Sequence, residues 1–412
     1  MTDIFNLSAT QLREISEDLK QKILTGLSKD GTEIACLPTY INPGKDFEGK
    51  VLALDWGGTN FRASIIKFAK GAKPEVLDVR KRPLSATETK GFSQDNLHGA
   101  IADTISQLQG LDEQVKHIGY CFSYPAESTI DGDAVLLHWT KEIDIPDMPY
   151  KMVGKPLMEY LNTRLNTKIE TVKVVNDTIA CLFAGLMQPG YDSYIGLIVG
   201  TGTNMAGLIS KDSIPKLNKE YRGGDFIPVN LESGNLKPTC RGREYLSPAD
   251  EKLDAESNSK GRQIFEKGIS GGYIGQLFRL AYPSIEIEKK FDGEKISNII
   301  NYPAIYKNEY VATARAIYTR SAQLVAASLA GLTQVAVDYK SEDDFNRSIT
   351  NICLAADGSL FWSSDANGTD YNVLVTNYLE EILTNLGLGH IHFRINRLDD
   401  ANLIGSAIAA LS

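Results

Sequence analysis

The chain carries the same opening pattern twice: a buried strand, a glycine turn and a second strand. The first copy is LALDWGGTNFRASIIKF at 52–68 and the second is YIGLIVGTGTNMAGLIS at 194–210, so that GGTN at 57–60 reappears as TGTN at 201–204. Apolar runs of strand length and segments with helical periodicity follow each copy. Two α/β domains with matching openings, and therefore an internal duplication, are predicted.

The segment before the first copy has the periodicity of an amphipathic helix. Apolar residues recur every three or four positions over 8–28, and Ser8 with Gln11 three residues later is typical of a capping box. Helical periodicity also predicts a long helix over 309–338 and a single helix over 261–278. The predicted division is an N-terminal helical segment (1–50) that packs on the main fold, a small α/β domain (51–193) joined by a C-terminal helix (399–412), and a large α/β domain (194–398).

The composition argues against several classes of function. A formal net charge of −9 lacks the basic footprint that general contact with nucleic acid or an anionic membrane needs. The longest apolar stretch, Ser321–Val337, includes small and polar residues, which favours a buried helix over a membrane span. The N-terminus lacks the features of a signal peptide, and the five cysteines form no C-x-x-C pair. We therefore expect a cytoplasmic protein with reduced thiols and with neither nucleic acid nor membrane as a partner.

The two glycine turns are candidates for binding phosphate. A turn without side chains lets backbone N–H groups approach phosphate oxygens. Asp55 ends the strand before the first turn and can hold Mg²⁺ directly or through water, and Arg62 is a candidate phosphate clamp. A third candidate turn is AADGSL, where Gly358 and Ser359 follow a predicted strand. Each turn taken alone could equally be an ordinary tight turn, and no Walker A motif or dinucleotide fingerprint is present.

These strings, with several others in the same order, resemble the hexokinase family. The matching motifs are LALDWGGTNFR, CFSYPAES, HWTK, VVNDT, IVGTGTN, NLESGN, FEKGISGGYIG and AADGSLF, and they extend over residues 50–410. The resemblance implies an actin-like (ribonuclease H-like) duplicated fold, in which two α/β domains flank a cleft. It also implies a small and a large domain that close over the substrate.

The resemblance further implies a site for a hexose beside the site for ATP. Asp177 would be the general base, and Lys141 would bind the sugar and neutralise charge on the transferred group. The implied substrate-binding residues are Ser123, Thr140, Lys141, Asn176, Asp177, Asn204, Glu232 and Glu266. The candidate ATP-binding residues are Asp55, Gly57, Gly58, Thr59, Asn60, Arg62, Gly200, Thr201, Gly202, Gly358 and Ser359.

Simpler interpretations exist for individual residues. Asn176 and Asp177 precede an apolar helical run and could cap that helix. Glu266 could be a solvated charge, and Glu232 a loop carboxylate. The common order of the motifs, and not any one of these residues, favours the enzyme.

The resulting hypothesis is a hexokinase that transfers the γ-phosphoryl group of MgATP to the 6-hydroxyl of a hexose. Glucose is the first candidate, followed by mannose, fructose and glucosamine, and the protein would be a monomer or homodimer. A sugar-sensing protein on the same fold and an actin-like filament former are the alternatives. The sensor would close on sugar without phosphorylating it, whereas a filament former has no need of the polar sugar residues.

Overall fold

The computed structural model describes residues 5–44, 46–237, 247–282, 291–337, 349–364 and 370–412. Its strands are β1 (Leu37–Pro38), β2 (Gly49–Trp56), β3 (Asn60–Phe68), β4 (Glu75–Pro83), β5 (Val115–Phe122), β6 (Ala126–Ser128), β7 (Ala134–Leu136), β8 (Thr171–Val175), β9 (Ser193–Val199), β10 (Thr203–Ser210), β11 (Phe226–Asn230), β12 (Asn351–Asp357) and β13 (His392–Arg397). Its α-helices are α1 (Ala9–Ser28), α2 (Gln94–Ile105), α3 (Gly154–Leu165), α4 (Asp177–Gly185), α5 (Pro248–Glu256), α6 (Ile264–Ile269), α7 (Gly271–Ala281), α8 (Gly293–Asn301), α9 (Asn308–Val337), α10 (Tyr371–Asn385) and α11 (Ala401–Ala410).

Two five-stranded arrangements with the same topology form the centre of the molecule. The small-domain sheet has the order β4-β3-β2-β5-β8, and the large-domain sheet continues β11-β10-β9-β12-β13, with β1 added beyond β11. In both, the first three strands along the chain are antiparallel neighbours and the last two add in parallel. The duplication and the α/β class predicted from the two glycine turns are therefore confirmed.

Helices α4 and α11 form a central layer that joins the two sheets. Helix α4 packs on strands β9 and β12 of the large domain, whereas α11 packs on β2, β5 and β8 of the small domain, and the two helices lie against each other. Gly405 of α11 meets the carbonyl oxygen of Ala180 so closely that a β-carbon there would overlap that oxygen. The C-terminal helix thus returns to the small-domain sheet, while the exact limits of each domain stay a prediction.

The large domain is covered by helices that surround α9. All but a few of the residues from Val311 to Ala336 are buried, which agrees with the buried helix predicted for Ser321–Val337. Helix α1 packs on α9 and α10, and the Ser8–Gln11 capping box forms as predicted. Within the described residues, no helix is long and apolar enough to cross a membrane.

One helix prediction was wrong. The segment 261–278 was expected to be a single helix, but the structure divides it into α6 and α7 at Ser270. The backbone of Ser270 is extended, with ψ of 154°, and the two following glycines begin a new helix in a different direction. Helical periodicity does not detect such a break because the apolar residues on either side keep helical spacing. The strands β1, β6, β7 and β11 were not predicted either.

Candidate active site

Side chains from both sheets meet where the strands end next to α4. From the small domain, Asp55 lies near the end of β2, Ser123 follows β5, and Asn176 follows β8. From the large domain, Asn204 lies near the start of β10 and Glu232 lies just after β11. Carboxyl ends of strands are the usual place for ligands in α/β sheets. The topology therefore brings together residues that are far apart in the sequence.

Asp177 is the first residue of α4 and is held at that helix terminus. The Asn176 side chain caps the helix, since its Oδ1 accepts a hydrogen bond from the backbone N–H of Thr178 at 3.0 Å. Oδ1 of Asp177 accepts from the same N–H at 2.8 Å. Burial raises the pKa of Asp177, while Lys141, the Thr178 N–H and Ser123 oppose this shift and Asp55 adds to it. The capping interpretation thus describes Asn176, and it leaves the second oxygen of Asp177 for another partner.

Lys141 connects the first glycine turn to Ser123, the residue just after β5. Its Nζ donates to the carbonyl oxygen of Gly57 at 3.0 Å and to that of Ser123 at 2.8 Å. The same ammonium lies 5.3 Å from the centre of the Tyr124 ring. The lysine stem packs under Gly58, where an added β-carbon would lie 2.7 Å from Lys141 Cδ. A positive charge is therefore fixed behind the turn and within electrostatic range of Asp177. Thr140 directly precedes this lysine and is half-buried.

Two large-domain carboxylates share the surroundings of Asp177. Burial raises the pKa of Glu232, and so does the charge of Asp177, whereas Asn230 and Lys141 lower it. Burial raises the pKa of Glu266 to about 7, with the Thr203 N–H and Lys141 opposing and Glu232 and Asp177 contributing. These mutual effects mean that the three acids lie close together with one lysine. Neither glutamate is a solvated surface charge.

Sequence analysis missed Asn230, the last residue of β11. Its side chain is hydrogen-bonded to both Asn204 and Glu232, and it approaches the Thr178 hydroxyl. The residue stands in the quoted motif NLESGN, two positions before Glu232. Alternation along an extended chain places positions 230 and 232 on one side, which is the signal that could have identified it.

Arg62, in the strand β3 that follows the first turn, is paired with acidic side chains. Asp55 and Arg62 face each other across the β2–β3 pair, and the guanidinium donates to Asp55 Oδ2 at 2.7 and 2.9 Å. It also donates to Asp400 Oδ1 at 2.9 Å, just before α11. The proposed role of Arg62 as a phosphate clamp stays a prediction, and a phosphate would have to compete with these two carboxylates. Gly57 and Thr59 of the turn are exposed, Asn60 is half-buried and Gly58 is buried.

The residues at this turn can supply only part of the ligands of a Mg²⁺ ion, and phosphates and water would have to supply the rest. Asp55 is 6% exposed and already accepts two hydrogen bonds from Arg62 on one oxygen. The described residues contain no group of three or more His, Cys, Asp or Glu side chains arranged to hold a metal. Mg²⁺ keeps several waters and takes one or two carboxylates together with substrate phosphates, and Asp55 can supply one such contact through water.

The second and third turns lie side by side with the start of α7. Gly200 and Gly358 are in contact, and a β-carbon on Gly200 would lie 3.3 Å from Gly358 Cα. The N–H of Gly271 donates to the carbonyl oxygen of Gly200 at 2.7 Å, and that of Gly272 to Thr201 at 3.2 Å. The helix break at Ser270 therefore brings the N-terminus of α7, which favours anions, to the predicted phosphate turn. Gly202 is half-buried, while Thr201 and Ser359 are exposed beside it.

Glu266 connects this second turn to the sugar side of the cleft. Its Oε2 accepts from the backbone N–H of Thr203 at 2.9 Å, and a β-carbon on Gly202 would lie 2.6 Å from that same oxygen. The glutamate thus fixes the end of the turn while it faces Glu232 and Asp177. It thereby links the second turn to the acidic residues of the predicted sugar site.

Comparisons with known proteins identify the family. Sequence models of the hexokinase family match residues 1–187, 194–314 and 308–412. Hexokinase-9 of Oryza sativa subsp. japonica is 26% identical over 97% of this chain and 86% of its own length. Hexokinase-2 of Schizosaccharomyces pombe is 32% identical over 67% of this chain and 62% of its own length.

Solved structures agree. A hexokinase from Schistosoma mansoni in complex with glucose covers 99% of this chain and 97% of its own, with a TM-score of 0.80 and 23% identity. A ROK family glucokinase from Streptomyces griseus, in complex with glucose and AMPPNP, shares the fold over 88% of this chain and 99% of its own, with a TM-score of 0.53 and 19% identity. The actin-like topology, the cluster of acidic residues and these matches together show that the chain belongs to the hexokinase family of ATP-dependent hexose phosphotransferases.

Proposed function

We propose that the protein transfers the γ-phosphoryl group of ATP to the 6-hydroxyl of a hexose, with glucose as the first substrate and Asp177 as the base. The observation that carries this proposal is the position of Asp177. It stands at the N-terminus of α4, within electrostatic range of Asp55, Lys141, Glu232 and Glu266. A carboxylate placed between a polar sugar pocket and a glycine turn can serve both substrates.

The chemistry requires a group that takes the proton of the attacking hydroxyl. The pKa of Asp177 is raised by burial, so it holds a proton more strongly than an ordinary aspartate does. The attacking oxygen becomes acidic late in a loose transition state, and alignment then matters more than base strength. Asp177 is well suited to this step because its Oδ1 is fixed by the Thr178 N–H, while Ser123 and Lys141 favour its carboxylate form.

Charge on the phosphates would be met from three directions. The first glycine turn offers backbone N–H groups, with Lys141 fixed behind it on the Gly57 carbonyl oxygen. The second turn is supported by the N-terminus of α7. Mg²⁺, when it is bound to ATP with a water contact to Asp55, would neutralise charge that develops on the transferred group. Preorganised donors of this kind supply much of the catalysis in phosphoryl transfer.

The sugar side consists of carboxylates and amides that match hydroxyl groups. Glu232 and Glu266 accept hydrogen bonds, and Asn176 and Asn204 can donate and accept. Such a site favours a polyhydroxylated ring, since an analogue without a hydroxyl leaves these buried groups unpaired. The Schistosoma hexokinase, whose fold is shared, was solved with glucose. Mannose, fructose and glucosamine are the next candidates for this chain.

Replacement of the base tests the proposal. Asp177→Asn keeps the size of the side chain but removes the proton acceptor, so glucose-dependent ADP release should fall about 10²- to 10⁴-fold. Glucose should still quench or shift tryptophan fluorescence in the variant, because the sugar pocket stays in place. The matched control is Asp144→Asn, which changes an exposed carboxylate of the small domain and should keep the rate.

Two outcomes would contradict this assignment. Full turnover by Asp177→Asn would exclude Asp177 as the base. Glucose binding by the wild-type protein without release of ADP or formation of a sugar 6-phosphate would instead favour a sugar sensor on the same fold.

A further inference from the structure

Asn230 occupies a buried position between residues that the proposed mechanism assigns to the sugar. Only 4% of its surface is exposed. Its Nδ2 donates to Glu232 Oε1 at 2.8 Å. Its Oδ1 accepts from Asn204 Nδ2 at 2.8 Å and from the Glu232 backbone N–H at 3.3 Å. The amide therefore uses both its donor and its acceptor on two candidate sugar ligands.

The backbone of Glu232 needs this support. Glu232 has φ of 55° and ψ of 44°, the left-handed region that residues other than glycine, asparagine and aspartate seldom adopt. Such a conformation persists only where its surroundings hold it in place. Asn230 grips Glu232 at both ends, at the backbone N–H and at the carboxylate. One amide thus fixes both the strained turn and the direction of the carboxylate.

The same amide is linked to the base. The Thr178 hydroxyl lies 3.4 Å from Asn230 Oδ1 and also 3.4 Å from Asn204 Nδ2. Thr178 follows Asp177 in α4, and its backbone N–H is the donor that fixes Asp177 Oδ1. The contacts of Asn230 therefore extend from the large-domain sugar ligands to the helix terminus that carries Asp177.

We infer that Asn230 is a positioning residue for the sugar: it holds Glu232 and Asn204 in the geometry that binds the hexose, without touching the transferred phosphoryl group. The inference rests on the proposed function, in which Glu232 and Asn204 are sugar ligands. Loss of Asn230 should therefore weaken binding of the hexose, whereas binding of ATP should depend on the glycine turns.

Kinetics of Asn230→Ala test this assignment. Loss of the amide removes the 2.8 Å donor to the Glu232 carboxylate and leaves Asn204 Nδ2 with only the Thr178 hydroxyl at 3.4 Å, so the KM for glucose should rise about tenfold or more. The KM for ATP should stay within about twofold of the wild type, because the phosphate turns do not contact Asn230. The matched control is Asn162→Ala, since Asn162 also makes three hydrogen bonds, to Ile169 and Thr167, but lies at the end of α3. It should lower the melting temperature without changing either KM.

Asn230→Asp keeps the size of the side chain and adds a signature that a packing role would not produce. An ionised aspartate accepts from Asn204 but repels Glu232, whereas one proton shared by the two carboxyl groups restores a donor. The charged groups that face this place are Glu232 in the following turn, Asp177 on α4, Glu266 on α6 and Lys141 of the small domain. The ratio of the glucose KM of Asn230→Asp to that of the wild type should therefore fall as pH is lowered from 8 to 6.

The outcomes separate the two proposals. If the wild-type protein forms no sugar phosphate, the proposed function fails and Asn230 has no role to test. If the wild type is active while both Asn230 variants keep its glucose KM and lose only thermal stability, as Asn162→Ala does, Asn230 is merely structural and the inference is overturned. If the glucose KM of Asn230→Asp is raised but its ratio to the wild-type KM does not fall toward low pH, the two carboxyl groups do not share a proton, and that explanation of the Glu232 contact is overturned.

Discussion

Glu266 is the residue on which the electrostatics of the cleft act most clearly. Burial, Glu232 and Asp177 raise its pKa from an ordinary value of 4.5 to about 7. The carboxylate form accepts hydrogen bonds from sugar hydroxyls more strongly than the protonated acid does. The KM for glucose should therefore fall as pH rises from 6 to 8, and Glu266→Gln should raise this KM and remove most of the dependence. Initial rates at a series of pH values measure both.

Glucose binding should strengthen as pH rises, whereas the stability of the folded protein should decrease. The folded protein keeps the Glu266 proton to higher pH than the unfolded chain does, so the free energy of unfolding falls between pH 4.5 and about 7 as the buried carboxylate ionises. Glu266→Gln should remove this part of the loss. The control is Glu159→Gln, which alters an exposed carboxylate on α3 and should leave both pH profiles unchanged. A wild-type KM that stays constant over this range would contradict the raised pKa of Glu266.

Individual residues differ in how well the sequence predicts them. Asp177, Lys141, Glu232 and Glu266 could be named because they stand in motifs that resemble those of the hexokinase family. Asn230 was missed, because only its place two residues before Glu232 points to it, and its importance comes from burial and from hydrogen bonds to Asn204 and Glu232. The pairing of Arg62 with Asp55 was missed too, although a strand–turn–strand reading already places the two residues opposite each other.

At the scale of elements, long segments with strong periodicity were predictable and short ones were not. Apart from β11, the strands of the two central sheets and the helices α1, α4 and α9 follow from apolar runs and helical spacing. A strand of two residues such as β1 carries no periodicity, and it forms only because β11 offers it an edge. The break between α6 and α7 places Glu266 beside Glu232 and Asp177 while Gly271 and Gly272 support the second turn.

A buried ion pair joins two helices of the large domain. Arg320 of α9, with a side chain 1% exposed, donates to both carboxylate oxygens of Asp250 in α5 at 2.6 and 2.8 Å. Burial opposes the ionisation of Asp250, yet Arg320 and Ser247 outweigh it and lower the pKa. Asp250→Asn keeps the shape but removes the carboxylate that binds the Arg320 guanidinium with two hydrogen bonds, so the free energy of unfolding should fall by about 3–5 kcal/mol. Chemical denaturation measures this change.

The control for this prediction is an exposed ion pair. Lys168 and Glu113 are 62% and 80% exposed, and Glu113→Gln should leave the free energy of unfolding nearly unchanged, because water screens an exposed ion pair. Since the pKa of Asp250 is lowered by folding, its contribution is present above the ordinary carboxyl pKa and is lost as pH falls below about 4. Equal stability of Asp250→Asn and the wild type at pH 7 would show that the pair contributes little beyond its own desolvation cost.

At the scale of the whole molecule, the duplication explains why one cleft can bind two substrates. Each half contributes a sheet of the same topology with a glycine turn after its first strand, and the α4–α11 layer connects the halves. The turns can then approach one polyphosphate from two sides. The proposed sugar ligands come from the ends of strands in both halves, so neither half would have a complete site alone.

Domain closure is the prediction that belongs to this scale. Ser123 and Lys141 come from the small domain and Glu232 and Glu266 from the large domain, so a bound hexose would tie the halves together. Closure would also exclude water, which otherwise competes with the sugar as phosphoryl acceptor. Small-angle X-ray scattering should therefore give a smaller radius of gyration with saturating glucose than without it, whereas L-glucose at the same concentration should have no effect.

The Asp177→Asn variant separates closure from chemistry. The sugar contacts that tie the halves together do not include proton transfer, so this variant should still become more compact with glucose although its turnover is lost. Glu232→Gln combined with Glu266→Gln removes the large-domain carboxylates and should abolish the compaction. If the radius of gyration of the wild type is the same with and without glucose, the two halves do not close on the sugar, and exclusion of water must then come from side chains already in place around Asp177.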